Sequence, residues 1–291
     1  MDIIVHDTAA ALDRLLAEPL ERRPGALKEL IGPMWGPARW TEGADLVDLH
    51  HRGGGMRVDR DDDRYAAALR RMREAGLWEQ VAARLAEAWA YQREAVPGIR
   101  AAGTLNVYIM LGDPDNDHLV VRNRGYFGMG GVPGILYLLI WPTEENLGRL
   151  GHCAVHELNH NIRYHNVVWD PATVTLGEHI VSEGLADAFV REMYGPEALG
   201  HWATAVQGEA LDAAYATIVK ALGLTGMHNF TAYVLGDGTA ELMGQTPVGL
   251  PDNAGYPVGL RIVDAHLAAS GLTAARSIAL SREEILANAG L

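Results

Sequence analysis

The spacing of apolar residues divides the chain into a helical first part, a short strand-rich stretch and a helical remainder. Within residues 1–100, the Ala-, Arg- and Glu-rich segments 64–75 and 77–95 repeat their apolar positions at helical spacing. Thr8 is placed to cap a further helix that continues to about Ala17. The pattern therefore predicts a mostly helical N-terminal region.

A polar segment, residues 41–63, lies between the predicted helix at 8–17 and the predicted helices at 64–75 and 77–95. It contains His50 and His51, three consecutive glycines and an acidic cluster at residues 59–63. Charged runs interrupted by glycine usually remain in water. We interpret this segment as a solvated connection rather than a binding site.

The hydrophobic period shortens after Gly103. The runs at 104–111 and 135–141 are rich in β-branched and aromatic residues and are bounded by Gly, Pro and Asp, which is typical of strands. A third strand is predicted within residues 119–126, and the helical period returns from Thr143. Strands followed by helices favour an α+β fold over a doubly wound sheet.

Composition excludes several classes of protein. The chain has 291 residues, 48% of them hydrophobic, and a formal net charge of −13 that disfavours binding to nucleic acid. Its longest apolar stretch, residues 134–141, is too short to cross a membrane, and the acidic first residues do not resemble an export signal. Because Cys153 is the single cysteine, no internal disulfide can form, and we expect a protein of the cytoplasm.

Residues 156–160, which read HELNH, carry the clearest candidate chemistry. Residues four apart share one face of a helix, so His156 and His160 can reach a single metal ion while Glu157 lies beside them. At about 100° per residue, both histidines fall nearly opposite the apolar stripe of a helix that opens near Thr143. The stripe consists of Leu147, Leu150, Gly151, Ala154, Leu158 and Ile162. Two histidines with a coincidental glutamate would not need this segregation, so the pattern predicts a metal site.

A catalytic zinc ion usually takes a third protein ligand. The extended motif HExxHxxGxxH is absent, because Arg163 and Asn166 stand where it has glycine and histidine. The remaining option is an acid on a following helix. Residues 176–193 predict an amphipathic helix in which Glu183 and Asp187 both lie away from the centre of the apolar stripe, so either acid can face a metal.

These motifs resemble the gluzincin arrangement, in which HExxH is followed by ExxxD, here at Glu183 and Asp187. Three blocks are also similar, in order, to a bacterial family known only as predicted zinc-dependent proteases. The blocks are HELNHNIRY (156–164), TLGEHIVSEGLADAF (175–189) and GYPVGLRIV (255–263). In this chain Leu158 and Asn159 stand inside the motif where we expect bulkier residues in relatives, which bears on pocket shape rather than on metal binding.

The resemblance covers roughly residues 101–290 and implies a zincin-like α+β fold. Such a fold has a small mixed or antiparallel sheet and carries its active site on helices. We therefore expect a catalytic domain at 101–291 and a separate helical region at 1–100.

The resemblance also implies one zinc ion per chain, bound by His156, His160 and Glu183. Glu157 would be the general base toward a water activated by the metal. Asp187 would accept the free ring N–H of a ligand histidine and fix its tautomer; the alternative is an ordinary surface carboxylate. Two imidazoles and a carboxylate also suit iron(II) or cobalt.

Two further predictions concern residues around this site. His179 shares the helical face of Glu183 and could replace it as a ligand; otherwise we expect it to line the pocket or support a ligand. Tyr256, in the third block, is our first candidate for stabilising an oxyanion, unless it only packs a loop. His228 and Arg261 are the alternatives.

Two further segments of the chain are rich in aspartate or glycine. Residues 113–117 resemble the start of a calcium loop, but His118 and Arg124 replace its glycine and its final acid, so we interpret them as a strand connection. The glycine-rich run 127–134 either lets another backbone approach closely or forms a mobile loop. This run or the next strand could pair with an extended substrate.

The sequence thus predicts a zinc metallopeptidase that acts on peptides or an exposed protein segment. One alternative is a zinc hydrolase of a non-peptide amide or a dedicated biosynthetic precursor, which an enclosed pocket would favour. Another is a non-catalytic binding protein that retains the fold. The intact Glu157 argues against the last, because a structural zinc needs no base and usually has four protein ligands.

Overall fold

The computed structural model describes residues 1–35 and 43–291. In these residues the strands form one four-stranded sheet with the order β1-β2-β4-β3. The strands are β1 (Asp2–Val5), β2 (Thr104–Leu111), β3 (Tyr126–Met129) and β4 (Ile135–Ile140). β1, β2 and β4 run parallel, whereas β3 pairs antiparallel with β4 and is the last strand on that side. The sheet is small and mixed, and together with the helices it makes an α+β structure.

Helices make up most of the remaining described chain. Before β2 lie α1 (Thr8–Ala17), α2 (Arg23–Trp35), α3 (Leu46–Arg52), α4 (Asp63–Glu74) and α5 (Leu77–Ala95). After the sheet come α6 (Glu144–Leu147), α7 (Leu150–Arg163), α8 (Leu176–Tyr194), α9 (Gly208–Ala221), α10 (Asp237–Leu242), α11 (Gly255–Ser270), α12 (Ala274–Ser277) and α13 (Arg282–Asn288). None of the described helices is both long and apolar enough to cross a membrane.

The bounds of α1 agree with the prediction, but its cap does not. The carboxylate of Asp7 accepts a hydrogen bond from the Ala10 N–H at 3.0 Å and caps the helix. Thr8 instead lies in the first turn, and its hydroxyl donates to the carbonyl of Ile109 in β2 at 2.5 Å. Thr8 therefore joins α1 to the sheet.

The prediction of a solvated connection at residues 41–63 was wrong in part, since α3 lies within it; residues 41 and 42 lie outside the described chain. Asp45 caps α3 by accepting from the Val47 N–H at 3.0 Å, and His50 is buried. A helix of seven residues is too short to show a clear apolar period. The acidic cluster is paired with arginines, as in Arg57–Asp59, Arg23–Asp61 and Arg64–Asp62.

The third strand lies later than predicted. Residues His118–Arg122 form a single π-helical turn, and the strand occupies Tyr126–Met129, overlapping the start of the glycine-rich run. The side chain of Asn116 accepts from the Leu119 N–H at 2.9 Å, and such a local side-chain bond competes with strand pairing. As predicted, residues 113–117 connect β2 to this turn.

The single helix predicted from Thr143 to His160 is two helices. Thr143 caps α6 in a reciprocal capping box with Asn146, as its position suggested. However, α6 ends at Leu147, and α7 begins anew at Leu150.

The described chain forms two compact units. The first comprises Met1–Glu87 and Ala102–Asn161, which include the sheet; the second comprises Ala88–Ala101 and Ile162–Leu291. These units do not follow the boundary drawn at residue 100, in part because β1 pairs with β2. Independent folding of a domain at 101–291 stays a prediction. The second unit has a core of Leu176, Ile180, Val206, Ala214, Ile218, Val234, Leu250, Ala254, Val258 and Ile262.

Candidate metal centre

Two histidines one turn apart on α7 direct their ring nitrogens at the same point. His156 and His160 are buried, and their Nε2 atoms lie 3.1 Å apart. Two imidazole nitrogens bound tetrahedrally to one zinc ion, at about 2.0–2.1 Å each, are separated by about 3.3 Å. The observed spacing therefore suits a shared ion.

Glu183 on α8 completes a group of three potential ligands. One ligand atom from each of His156, His160 and Glu183 lies within 4.8 Å of the other two, and all three residues are at most 5% exposed. A buried carboxylate is costly unless a cation or hydrogen-bond donors compensate its charge. Two imidazoles and one carboxylate are a donor set typical of catalytic zinc, so these residues fit that ion.

The N-terminal cap of α8 and the burial of its apolar stripe determine where Glu183 lies. Thr175 caps the helix by accepting from the Glu178 N–H at 3.2 Å. The predicted apolar stripe of α8 is buried throughout. Its members are Ile180, Val181, Leu185, Ala188 and Phe189.

His179 packs between two aromatic rings. Its ring makes edge contacts with Trp169 and Phe230, with centroid distances of 5.1 Å in both cases. Within the described chain it does not belong to the group formed by the two α7 histidines and Glu183. The structure therefore places Glu183, rather than His179, beside those histidines.

Glu157 lies against the glycine-rich run and is 7% exposed. A side chain at Gly128, in β3, would overlap the Glu157 side chain, and one at Gly130 would overlap the Glu157 backbone carbonyl. Only glycine permits so close an approach. The predicted close approach of another backbone is thus confirmed, and the last strand of the sheet runs beside the motif glutamate.

Asn161, which the sequence analysis did not single out, ties this run to α7. Its side-chain N–H groups donate to the carbonyls of Gly130, Val132 and Ile135 at 2.8–3.0 Å, and its oxygen accepts from the Gly134 N–H at 3.1 Å. One feature of the sequence could have revealed this role: an asparagine inside a predicted helix, directly after a motif histidine. Asparagine is a poor helix former unless its side chain forms hydrogen bonds elsewhere.

Arg163 is a second residue that sequence reasoning missed. Its guanidinium is fully buried and donates to both carboxylate oxygens of Glu178, at 2.7 and 3.0 Å. It also donates to the carbonyl of Ile278 at 2.9 Å. Such two-point pairing holds the end of α7 in a set orientation to the start of α8. Helical periodicity does not reveal a buried arginine of this kind.

Asp187 is buried and bonded to a tryptophan. The indole N–H of Trp202 donates to its Oδ1 at 3.1 Å. An ordinary surface carboxylate is therefore excluded, and the predicted contact with a ligand histidine stays a prediction.

Tyr256 is half-buried in the first turn of α11, with its ring 6.0 Å from that of Trp202. The third block therefore starts a helix rather than a loop.

The alternatives to Tyr256 are on the surface. His228 is exposed. Arg261 is also exposed; it pairs with Asp212 at 2.6 Å and covers the ring of Tyr215 at 4.4 Å. The charge of Arg261 is thus already engaged by neighbours on α9.

Tyr164, just after α7, is a further buried group. Burial raises the pKa of Tyr164 well above its usual value, and the negative charge of Glu183 adds to the effect. Its ring stacks on Trp169 at 3.6 Å. The phenol therefore stays protonated near Glu183.

The second and third sequence blocks pack directly on each other through glycine. A side chain at Gly184 would overlap the carbonyl of Gly259, and one at Gly259 would overlap the carbonyl of Ile180. α8 and α11 thus cross backbone to backbone at the residue that follows Glu183. This contact explains why both blocks contain a glycine in mid-helix, where it costs about 1 kcal/mol.

Comparisons with known proteins agree with the site. A family model described as "Predicted Zn-dependent protease (DUF2268)" matches residues 82–287. The chain is 33% identical to the uncharacterized protein YjfC of Bacillus subtilis over 183 residues, 63% of this chain and 60% of YjfC. It is 27% identical to the uncharacterized protein YjaZ of the same organism over 150 residues, 51% of this chain and 54% of YjaZ. The chain thus matches less than two thirds of either relative, and no solved structure shows a significant match.

Proposed function

This chain belongs to the family of predicted Zn-dependent proteases, and from that premise we propose that it is a zinc metallopeptidase of the gluzincin type with a zincin-like fold. One observation carries the proposal. His156, His160 and Glu183 are buried together with their ligand atoms within 4.8 Å of one another. Glu157, between the two histidines in sequence, supplies the base that such an enzyme needs.

We assign the zinc to His156, His160 and Glu183, one ion per chain. The bound ion would supply Lewis-acid chemistry and lower the pKa of water to near 7. Glu157 accepts a proton at its carboxylate and delivers it to the leaving amine. Burial of Glu157 keeps bulk water from competing for that proton.

The position of β3 suggests how a substrate binds. β3 pairs with β4 on one side only and is the last strand of the described sheet. An extended peptide can add to such an edge through backbone hydrogen bonds. Because Gly128 packs on Glu157, a peptide bound there lies close to the base.

Three further residues support the reaction in this proposal. Asp187, held by Trp202, orients a ligand histidine by accepting its ring N–H. Tyr256 donates to the developing oxyanion. His179 shapes the site through its contacts with Trp169 and Phe230 rather than by binding the metal.

The first test is metal content by elemental analysis of protein without a polyhistidine tag. We expect about one zinc per chain in the wild type and in His179→Ala, but little in Glu183→Ala. Retention of zinc by Glu183→Ala together with its loss from His179→Ala would exchange the two assignments. A wild type that binds no zinc under zinc supply would contradict the proposal.

The second test is cleavage of a quenched-fluorescence peptide library by the zinc-loaded protein. Glu157→Gln should keep its zinc and lose activity by a factor of about 100 or more, because only the base is removed. Zinc binding without cleavage of any peptide would favour a hydrolase of a non-peptide amide instead.

A further inference from the structure

The glycine-rich turn between β3 and β4 is held by one side chain of α7. The amide of Asn161 is 2% exposed and uses both its donors and its acceptor on the backbone of residues 130–135. Three carbonyls of the turn converge on the Asn161 nitrogen, and one turn N–H reaches its oxygen. No other residue type of that size offers donors and an acceptor in this arrangement.

The same turn carries the backbone that lies against the motif glutamate. Gly130 packs on the Glu157 carbonyl, and Gly128, two residues earlier in β3, packs on the Glu157 side chain. Asn161 and Glu157 are four apart on α7 and therefore share a helical face. α7 thus contacts the end of β3 and the following turn at two points. The amide of Asn161 forms hydrogen bonds there, and Glu157 packs against glycine backbone.

We infer that Asn161 is a positioning residue that fixes the edge of β3 relative to Glu157 and so sets where an extended peptide lies on that edge. This inference rests on the proposed function. Asn161 touches neither the substrate nor the reacting atoms. Its effect passes through the backbone of residues 128–134, so its loss should weaken substrate binding more than it slows the chemical step.

Asn159 provides a matched control on the same helix. It is also a buried asparagine, but neither polar atom of its side chain has a hydrogen-bond partner in the described chain. Leucine has a similar size to asparagine and removes its polar atoms. Asn161→Leu and Asn159→Leu therefore make the same chemical change two residues apart, with and without loss of the turn contacts.

The experiment combines hydrogen exchange with steady-state kinetics on zinc-loaded full-length protein. We expect amides of residues 126–135 to exchange about tenfold faster or more in Asn161→Leu, since a buried set of hydrogen bonds is lost, and no faster than in the wild type in Asn159→Leu. With the best-cleaved library peptide, Asn161→Leu should raise KM about tenfold, change kcat less, and retain one zinc per chain.

A second variant covers the case in which Asn161→Leu does not fold. Asn161→Ser removes the amide donors but leaves space in which water can bond the backbone carbonyls, and it should show the same exchange and KM changes in smaller size.

Unchanged exchange at 126–135 in Asn161→Leu, or faster exchange with an unchanged KM, overturns the inference. The proposed function is unaffected by that result as long as the wild type cleaves library peptides. A wild type that binds zinc but cleaves no peptide removes the proposed function, and the positioning role with it.

Discussion

Two buried asparagines of α7 differ in their hydrogen bonding because their surroundings differ. Asn159 and Asn161 lie two positions apart on this helix, and both are buried. Asn161 satisfies its amide on the β3–β4 turn, whereas neither polar atom of Asn159 finds a partner in the described residues. A buried amide without partners loses its hydrogen bonds to water and gains none in return.

Replacing Asn159 with leucine should therefore stabilise the protein. Each unpaired buried polar group costs about 1–3 kcal/mol, so we expect the free energy of unfolding to rise by about 1 kcal/mol or more. Urea titration of wild type and Asn159→Leu at one zinc concentration measures this difference. A clear fall in stability would mean that the amide of Asn159 is hydrogen-bonded to internal water.

His50 is a second residue whose environment determines its chemistry. It is 4% exposed, and its ring fills the space where a side chain at Gly55 would lie. Burial, with a smaller effect of neighbouring His51, lowers the pKa of His50 to about 3. The folded protein therefore keeps this imidazole neutral at pH values where an unfolded chain, with a histidine pKa of about 6.5, takes up a proton.

This difference predicts a loss of stability in acid. The contribution of neutral His50 is complete above about pH 6.5 and decreases by about 1.4 kcal/mol per pH unit below it, until the folded pKa is reached. In His50→Gln this loss should disappear. Between pH 6.5 and 4.5 the wild type should lose about 2–3 kcal/mol more than His50→Gln in urea titrations. Equal losses would show that His50 becomes protonated without unfolding.

At the scale of elements, the crossing of α8 and α11 determines where Glu183 lies. Gly184 and Gly259 let the two backbones touch directly after that residue. Sequence periodicity predicted α8 and its apolar stripe, although the structure buries the polar positions of this helix as well. It did not predict the crossing, because which helix lies over a glycine depends on the tertiary fold.

Gly184→Ala tests this crossing. Alanine favours an isolated helix by about 1 kcal/mol over glycine, so a loss of stability can come only from the contact with α11. We expect a loss of about 1–3 kcal/mol on urea titration together with weaker zinc binding, because Glu183 moves with its helix.

Gly25→Ala is the matched control for that change. Gly25 is exposed on α2, and a side chain there would meet no described atom within 4 Å. We expect this variant to be unchanged or up to about 1 kcal/mol more stable, with normal zinc content. Equal effects of the two substitutions would contradict the role given to the crossing.

At the scale of the whole molecule, the proposed metal couples the site to stability. Its three proposed ligands come from two consecutive helices, α7 and α8, and an unfolded chain does not hold them together. Any ion that binds only the folded state raises its stability, by about 4 kcal/mol at a free concentration 1,000 times Kd.

Removal of the metal should therefore lower the melting temperature. A chelator should reduce the midpoint of wild-type unfolding by about 10 °C, measured by circular dichroism or calorimetry. Glu183→Ala should start from the lower midpoint and respond little to the chelator. An equal response of both proteins would show that the stabilising metal lies elsewhere.

Spacing along the chain was enough to predict the helices with a clear period, two of the four described strands, and the residue types of the candidate centre. Such features depend on spacing along the chain, which places His156 and His160 on one helical face wherever that helix packs. Glu157 and Glu183 belong to the same local patterns. The spacing also placed Asp187 away from the apolar stripe, although it did not reveal its tryptophan partner.

Contacts between groups on different elements could be read only from the folded structure. The third strand forms at 126–129 because it pairs with β4, and the choice of Glu183 over His179 depends on how α8 packs. Asn161, Arg163 and Trp202 received no role from the sequence, because their partners lie on other elements. Periodicity records which face of an element is buried, whereas hydrogen bonds and glycine contacts between elements depend on distances that no local pattern contains.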